Sequence, residues 1–323
     1  MDIADRPVQP FPRRLIAGFA ACFLALYVAA AGIAEVAVAR KGEDTAFQKL
    51  LALKGQQVDW VVLGASHALP LAFGDVPGRL QAESDQSMVI LAEVGAGPLY
   101  NRFVFQQALH DIAPRRLLYV VDTFAFTSPN WNEARISDRK LLRKTPLRLS
   151  TARNMAKISA RYGTDPAGLA DYLTGFSKLN PPDRFPQAGW GGAADFDRKV
   201  RLSRHAVQGR IDYLYPEPPQ VNAISRYLDV LTTLFEVAKA RGMEVIVVKL
   251  PLPDAFRAAL PDEAGFDRLL RDSLEPRGIP YHNLSETLTD PGYFFDTDHL
   301  NRPGVAALYD GYLREILAPE TPS

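Results

Sequence analysis

Hydrophobic and polar residues alternate along this chain in three distinct patterns. The first is a block without any charge, Leu15 to Ala34, reading LIAGFAACFLALYVAAAGIA. As a helix rising 1.5 Å per residue it is about 30 Å long, the thickness of a bilayer core. The second pattern is a set of short, nearly continuous apolar runs: 58–63 (VDWVVL), 88–91 (MVIL), 116–121 (RLLYVV), 244–250 (EVIVVKL) and a weaker 279–282. Runs of this length predict parallel strands covered on both faces. The third is a stripe at spacings of three and four, formed by Val221, Ile224, Leu228, Leu231, Phe235 and Ala238. It predicts a helix with one apolar face, ended near Gly242 just before the fourth run. Two further helices are predicted at 98–110 and 303–317, each opening on a proline.

Strands alternating with helices predict an α/β domain, a three-layer sandwich with a mainly parallel sheet, preceded by one N-terminal transmembrane helix. The expected layout is a short tail at 1–14, an anchor at 15–38, a linker at 39–55, the α/β domain at 56–318 and a tail at 319–323. Ala-x-Ala patterns near Val36–Ala39 also suit a cleaved signal peptide, but the apolar block exceeds the usual 7–15 residues of such a segment, which favours an anchor. Arg6, Arg13 and Arg14 precede the block, and Arg40, Lys41 and Lys49 follow it, so basic residues set no orientation. The form resembles an uncleaved export signal. The expectation is therefore a single-pass protein of the inner membrane with its domain on the extracytoplasmic, periplasmic side.

Composition narrows the function classes. The 323 residues carry 37 Lys+Arg and 37 Asp+Glu, so overall charge gives no basis for nucleic-acid binding. The one cysteine, Cys22, falls inside the apolar block, which leaves no intrachain disulfide and no Cys/His cluster for structural zinc. No phosphate loop, HExxH helix or GxGxxG turn is present. No cofactor and no metal are expected. Charge is uneven, however. Trp131–Arg210 carries 16 Lys+Arg against 7 Asp+Glu, within a basic insertion at about 127–220. It reads either as a solvated, irregular insertion or as a cap touching anionic headgroups or an anionic polymer. Its Tyr, Trp and Arg would also suit a sugar groove.

Two places carry residues for chemistry. Gly64-Ala65-Ser66-His67 directly follows the first strand, and ligands of open α/β sheets bind at the carboxyl ends of strands. A serine there needs a base to become a nucleophile. Asp296-Thr297-Asp298-His299-Leu300-Asn301 follows the last strand, and Asp296 is three residues from His299, near enough to orient it. The chain thus holds a nucleophile, an acid and a base in the order Ser, Asp, His. His67, His110, His205 and His282 read as structural or surface residues.

These blocks resemble the SGNH, or GDSL-like, hydrolase superfamily over about 56–318. GASH at 64–67 is similar to its first block and DTDHLNRPG at 296–304 to its last, which implies Ser66 as nucleophile, His299 as general base and Asp296 as its partner. LAEVGAGP at 91–98 resembles the second block, which implies an oxyanion hole from the backbone of Ser66 and Gly95, with Gly97 as the fallback. Ala65 stands where GDS has Asp, and GxND is missing after 116–121. Asn130, or Asn132, in SPNWNE is nearest to the third block's asparagine.

An anchored domain with GxSH and DxxHLN resembles proteins that acylate cell-envelope polymers, including those of alginate and cellulose O-acetylation and of D-alanyl transfer. That resemblance implies an O-acyltransferase, foremost O-acetyl, acting through an acyl-serine on a polysaccharide. A polytopic membrane-bound O-acyltransferase would be its partner and the lipid bilayer its support. The alternatives are a membrane-anchored carbohydrate or lipid esterase using the same triad, or an idle scaffold for a membrane acyltransferase.

Overall fold

The computed structural model describes residues 12–41, 45–182, 191–216 and 221–317. Residues 183–190 of the basic insertion, residues 1–11 of the first tail and the whole second tail lie outside the described residues. Five strands form one parallel sheet: β1 (Gln57–Leu63), β2 (Met88–Ile90), β3 (Ala113–Val120), β4 (Glu244–Lys249) and β5 (Tyr281–Asn283). Their order across the sheet is β2-β1-β3-β4-β5, and all four neighbouring pairs run parallel. Each predicted strand is present, with no end shifted by more than three residues.

Alternation along the strands divides the core in two. Val61 and Leu63 of β1, Leu117 and Tyr119 of β3, and Val245 and Val247 of β4 face one layer. Trp60 and Val62, Leu118 and Val120, and Ile246 and Val248 face the other. Successive side chains of a strand point to opposite faces, so a strand buried on both sides must be apolar throughout.

The helices used below are α1 (Arg13–Arg40), α2 (Ala46–Ala52), α3 (Val76–Ser84), α4 (Pro98–Asp111), α5 (Leu149–Tyr162), α6 (Pro166–Thr174), α7 (Arg204–Leu214), α8 (Val221–Lys239), α9 (Glu263–Leu274) and α10 (Arg302–Leu308). Helices α2, α4, α5, α7, α8 and α9 pack on the first layer and α3 and α10 on the second. The stripe predicted on α8 is the buried one, with Leu228, Leu231, Phe235 and Ala238 all in the core. The last predicted helix is interrupted: α10 passes through a π turn at Tyr309–Leu313 before Arg314–Leu317.

Two expectations change. The stretch 39–55 is not a plain linker, because it contains α2, whose Phe47 and Leu50 are buried. Phe47 packs on Phe103 of α4 with ring centroids 4.9 Å apart. The basic segment between β3 and α8 is not irregular either: its described part is largely helical. It feeds both layers, through Met155 and Ile211 on one side and Phe196 on the other.

Among the described residues, only α1 is long and apolar enough to cross a membrane, with a mean hydropathy of 2.2. Residues 12–26 are all exposed. Further along, α1 rests on the domain: Tyr27 donates to the Thr174 carbonyl at 3.1 Å, and Gln48 donates to the Val38 carbonyl at 2.9 Å. Glu35 pairs with Lys178 and accepts from the Leu147 N–H at 2.6 Å.

Candidate active site

Chain order reverses at β1, which lies between β2 and β3. Strand loops diverge at such a point and leave a crevice at the carboxyl edge. Gly64, Ala65 and Ser66 leave β1 there. A Cβ on Gly64 would lie 2.9 Å from both the Cβ and the carbonyl oxygen of Val120, so only glycine lets the turn press against β3. Ser66 opens a 3-10 turn, Ser66–Ala72, and is 2% exposed. The first N–H groups of a helical turn have no acceptor inside it, which leaves the Ser66 N–H available to a ligand oxygen.

The second loop comes from after β5. Phe294 and Leu300 bridge antiparallel, which closes a tight loop over Phe295–His299. The Asp296 carboxylate organises this loop. Its Oδ1 accepts from the N–H groups of Asp298 (3.1 Å) and His299 (2.8 Å). Both its oxygens also lie 2.8–2.9 Å from Nδ1 of His299. Burial works against the Asp296 charge, but His299 and these hydrogen bonds outweigh it and hold the carboxyl below its usual range. Phe295 stacks on the His299 ring, with centroids 5.6 Å apart and an angle of 15° between planes. Nδ1 is therefore committed to Asp296, and Nε2 is the nitrogen that remains for proton transfer.

The structure brings these two loops together through His67, the residue after Ser66. Its ring centroid is 5.0 Å from that of His299. His67 bonds Asp122 through Nδ1 and Asp298 through Nε2, the latter at 3.0 Å. Burial alone would lower its pKa, but the two carboxylates, Asp122 first, raise it to about 10. The two carboxylates thus favour the protonated form of His67 and hold both ring nitrogens in place. Asp298, fully buried, also receives Arg210 of α7, with Nε at 2.9 Å and Nη2 at 2.8 Å from Oδ2. His299 first, then Arg210 and His67, overcome the burial penalty and hold its carboxyl well below the ordinary value.

The sequence reading did not identify Asp122, Asp298 and Arg210 as parts of this network. Asp122 had a signal, since a carboxylate directly after a buried strand is costly unless paired. Asp298 sits inside the quoted motif. Arg210 had none, being one of many basic residues in the insertion.

The expected oxyanion donors divide. Gly95 is buried in a left-handed turn (φ +65°), and a Cβ there would meet the Trp131 ring at 2.8 Å. The Gly97 N–H is taken by the Trp131 carbonyl at 2.6 Å. Asn132 is fully buried, but its amide accepts from the Leu99 N–H and donates to the Ala125 and Ser128 carbonyls. It locks the loop and has no donor left to offer. Asn130 is exposed, whereas Ser66 and His299 are buried.

A cavity of about 20 Å³ lies behind His67, with Asp122, Thr123, Tyr215 and Glu263 among its walls. One polar atom of each of these four is buried without a hydrogen-bond partner. The volume and the donor set suit one ordered water. His67, Asp298 and His299 also offer ligand atoms within 4.8 Å of one another. Arg210 already occupies the Asp298 carboxylate, so a cation there would face a guanidinium on its own ligand.

No family profile and no curated protein matches the chain. Solved structures resemble it, among them two from Bacteroides species. A putative acylhydrolase of Bacteroides fragilis shares 12% identity at a TM-score of 0.43, covering 84% of this chain and 93% of its own. A GDSL-like lipase of Bacteroides thetaiotaomicron shares 10% identity at a TM-score of 0.40, covering 80% and 87%. Likeness at this level carries no argument about chemistry, which rests on the site itself.

Proposed function

We propose that this chain is a membrane-anchored serine acyl-transfer enzyme in which Ser66 is the nucleophile, His299 the base and Asp296 its partner. The observation that carries the reading is the Asp296 carboxylate held 2.8–2.9 Å from Nδ1 of a buried His299, whose ring lies 5.0 Å from the residue following Ser66. A serine, an imidazole and an orienting carboxylate are the parts such catalysis needs.

In the proposed cycle, Nε2 of His299 takes the Ser66 proton as Oγ attacks the acyl carbonyl. Asp296 stabilises the imidazolium. The N–H groups of Ser66 and Gly95 receive the oxyanion, and one such donor contributes about 3–4 kcal/mol. Collapse of the intermediate expels the donor's leaving group, which takes the proton from His299. An acceptor hydroxyl then gives its proton to His299 and attacks the acyl-serine, forming the new ester and restoring Ser66.

Transfer competes with hydrolysis, and water must be kept out for transfer to win. Ser66 is 2% and His299 1% exposed, which favours transfer. The apolar helix α1 would hold the site beside a bilayer, and the GASH and DTDHLN blocks resemble those of envelope polymer acylation. The acceptor we propose is therefore a hydroxyl of an extracytoplasmic polysaccharide, the acyl group acetyl, and the donor-side partner a polytopic membrane acyltransferase.

The test is intact mass of the full chain in detergent after incubation with an activated acetyl ester, beside Ser66→Ala. One acetyl gained by the wild type alone is the expected result. An equal gain in Ser66→Ala would overturn the assignment. Adding an acceptor glycan separates the outcomes, since ester hydrolysis unaffected by glycan would make the protein an esterase.

A further inference from the structure

A cavity of about 660 Å³ opens between the end of α2, the outer face of α4 and the start of α5. Lys54, His110, Arg148, Arg153 and Lys157 line it. Arg148 is spent on the buried Asp111, which also receives His110 at 3.0 Å. Lys54, Arg153 and Lys157 are exposed and make no ion pair among the described residues. Three uncompensated cations therefore surround one cavity on a chain whose total charge is zero. Leu149 and Ser150, the first two residues of α5, lie on the same wall, and the N-cap Arg148 supplies no side-chain acceptor. The positive end of a fourteen-residue helix thus adds to the cations.

The position of the cavity identifies its ligand. Glu35 is the first charged residue after the apolar block and, on the membrane-anchored reading, would lie at the bilayer edge along α1. Its carboxylate accepts from the Leu147 N–H at 2.6 Å, and Arg148 and Leu149 follow directly in the chain. On that reading the cavity mouth would be level with the phosphates of a bilayer around α1. Leu147 and Leu149 are 46% and 65% exposed on that side, where acyl chains would begin.

We propose that this cavity is a headgroup site for an anionic phospholipid, with the phosphodiester held by Lys54, Arg153 and Lys157. The proposal rests on the membrane-anchored reading. Such a site would fix the rotation of the domain about α1 and thereby the face it turns to a membrane partner.

The test is native mass spectrometry of the full chain in detergent, titrated with phosphatidylglycerol, phosphatidylcholine or inorganic phosphate. The variants are Lys54→Gln/Arg153→Gln/Lys157→Gln and, as a surface control, Arg268→Gln. The wild type and the control should retain one phosphatidylglycerol in preference to phosphatidylcholine. The triple variant should lose about fivefold in affinity per charge removed, on the order of a hundredfold in all. Equal retention by the triple variant, no preference over phosphatidylcholine, or binding of inorganic phosphate without the lipid would each overturn the proposal. Resistance of the full chain in liposomes to alkaline carbonate extraction tests the anchor separately. An extractable chain removes the membrane reading, whereas a resistant chain that ignores phosphatidylglycerol removes only the headgroup site. Melting curves matching the wild type show that the variant is folded.

Discussion

Nε2 of His67 lies 3.0 Å from Oδ2 of Asp298, a contact between the turn after the first strand and the loop that carries His299. The residues are 231 positions apart, and both are buried. The contact joins the two halves of the candidate site, so the chemistry and the stability of that edge depend on the same charges.

Ser66→Ala and His299→Gln should abolish acyl-enzyme formation. Asp296→Asn should lower the rate by about 10²–10⁴-fold with the fold intact, because the imidazole loses its charged partner but keeps its place. Rapid-quench mass spectrometry with an activated ester measures all three. An Asp296→Asn variant as fast as the wild type would remove Asp296 from the triad.

The pH dependence of stability has a defined direction. His67 is raised from 6.5 to about 10 by Asp122 and Asp298. The stability this gives is complete below pH 6.5 and is lost as pH rises toward 10. Asp298 is lowered well below 3.8, so its contribution is present above that value and lost as pH falls through the lowered range. Urea unfolding of the wild type should weaken steadily between pH 6.5 and 10, and in His67→Phe that slope should be reduced. An unchanged slope in His67→Phe would assign the loss to other groups.

Arg210→Met removes a guanidinium from a carboxylate that has no solvent exposure. Breaking a buried pair on one side costs up to about 3–5 kcal/mol, and the loss here falls at the lower end because Asp298 keeps His67. A melting temperature lower by several degrees is expected, with partial recovery when Asp298→Asn is added. If the double variant is as unstable as the sum of the two single ones, the pair is not coupled.

The turn after α6 should lie within the bilayer. Tyr27 bonds the Thr174 carbonyl, and Tyr27 is seven residues before the end of the apolar block at Ala34, or about 10 Å along the helix. Leu173 and Phe176 are 54% and 46% exposed beside it. A nitroxide on Leu173→Cys, with Cys22→Ser, should be relaxed by oxygen more than by a water-soluble nickel chelate in liposomes. The reverse order would place this turn in water.

Much of the architecture was legible because it rests on local patterning. Runs such as VDWVVL and EVIVVKL are buried on both sheet faces, and that requirement is written into every residue of the strand. The stripe on α8 follows the same logic at helical spacing. The 39–55 stretch was harder, since α2 buries only a few residues and does so against α4, far along the chain. The helices of the basic segment were not legible, because short helices alternate with loops there and their packing partners lie outside the segment.

The sequence by itself determined the five strands, the apolar helix, and the local pair Asp296 and His299, whose three-residue spacing lets one carboxylate cap the loop and orient the ring. Tertiary structure alone decided that His67 is held between Asp122 and Asp298, that Arg210 crosses from the insertion to the same carboxylate, and that Asn132 is spent on backbone groups. Each of these depends on burial and on which distant groups share a cavity. A buried charge takes whatever counter-charge the fold brings to it, and no spacing along the chain encodes that choice.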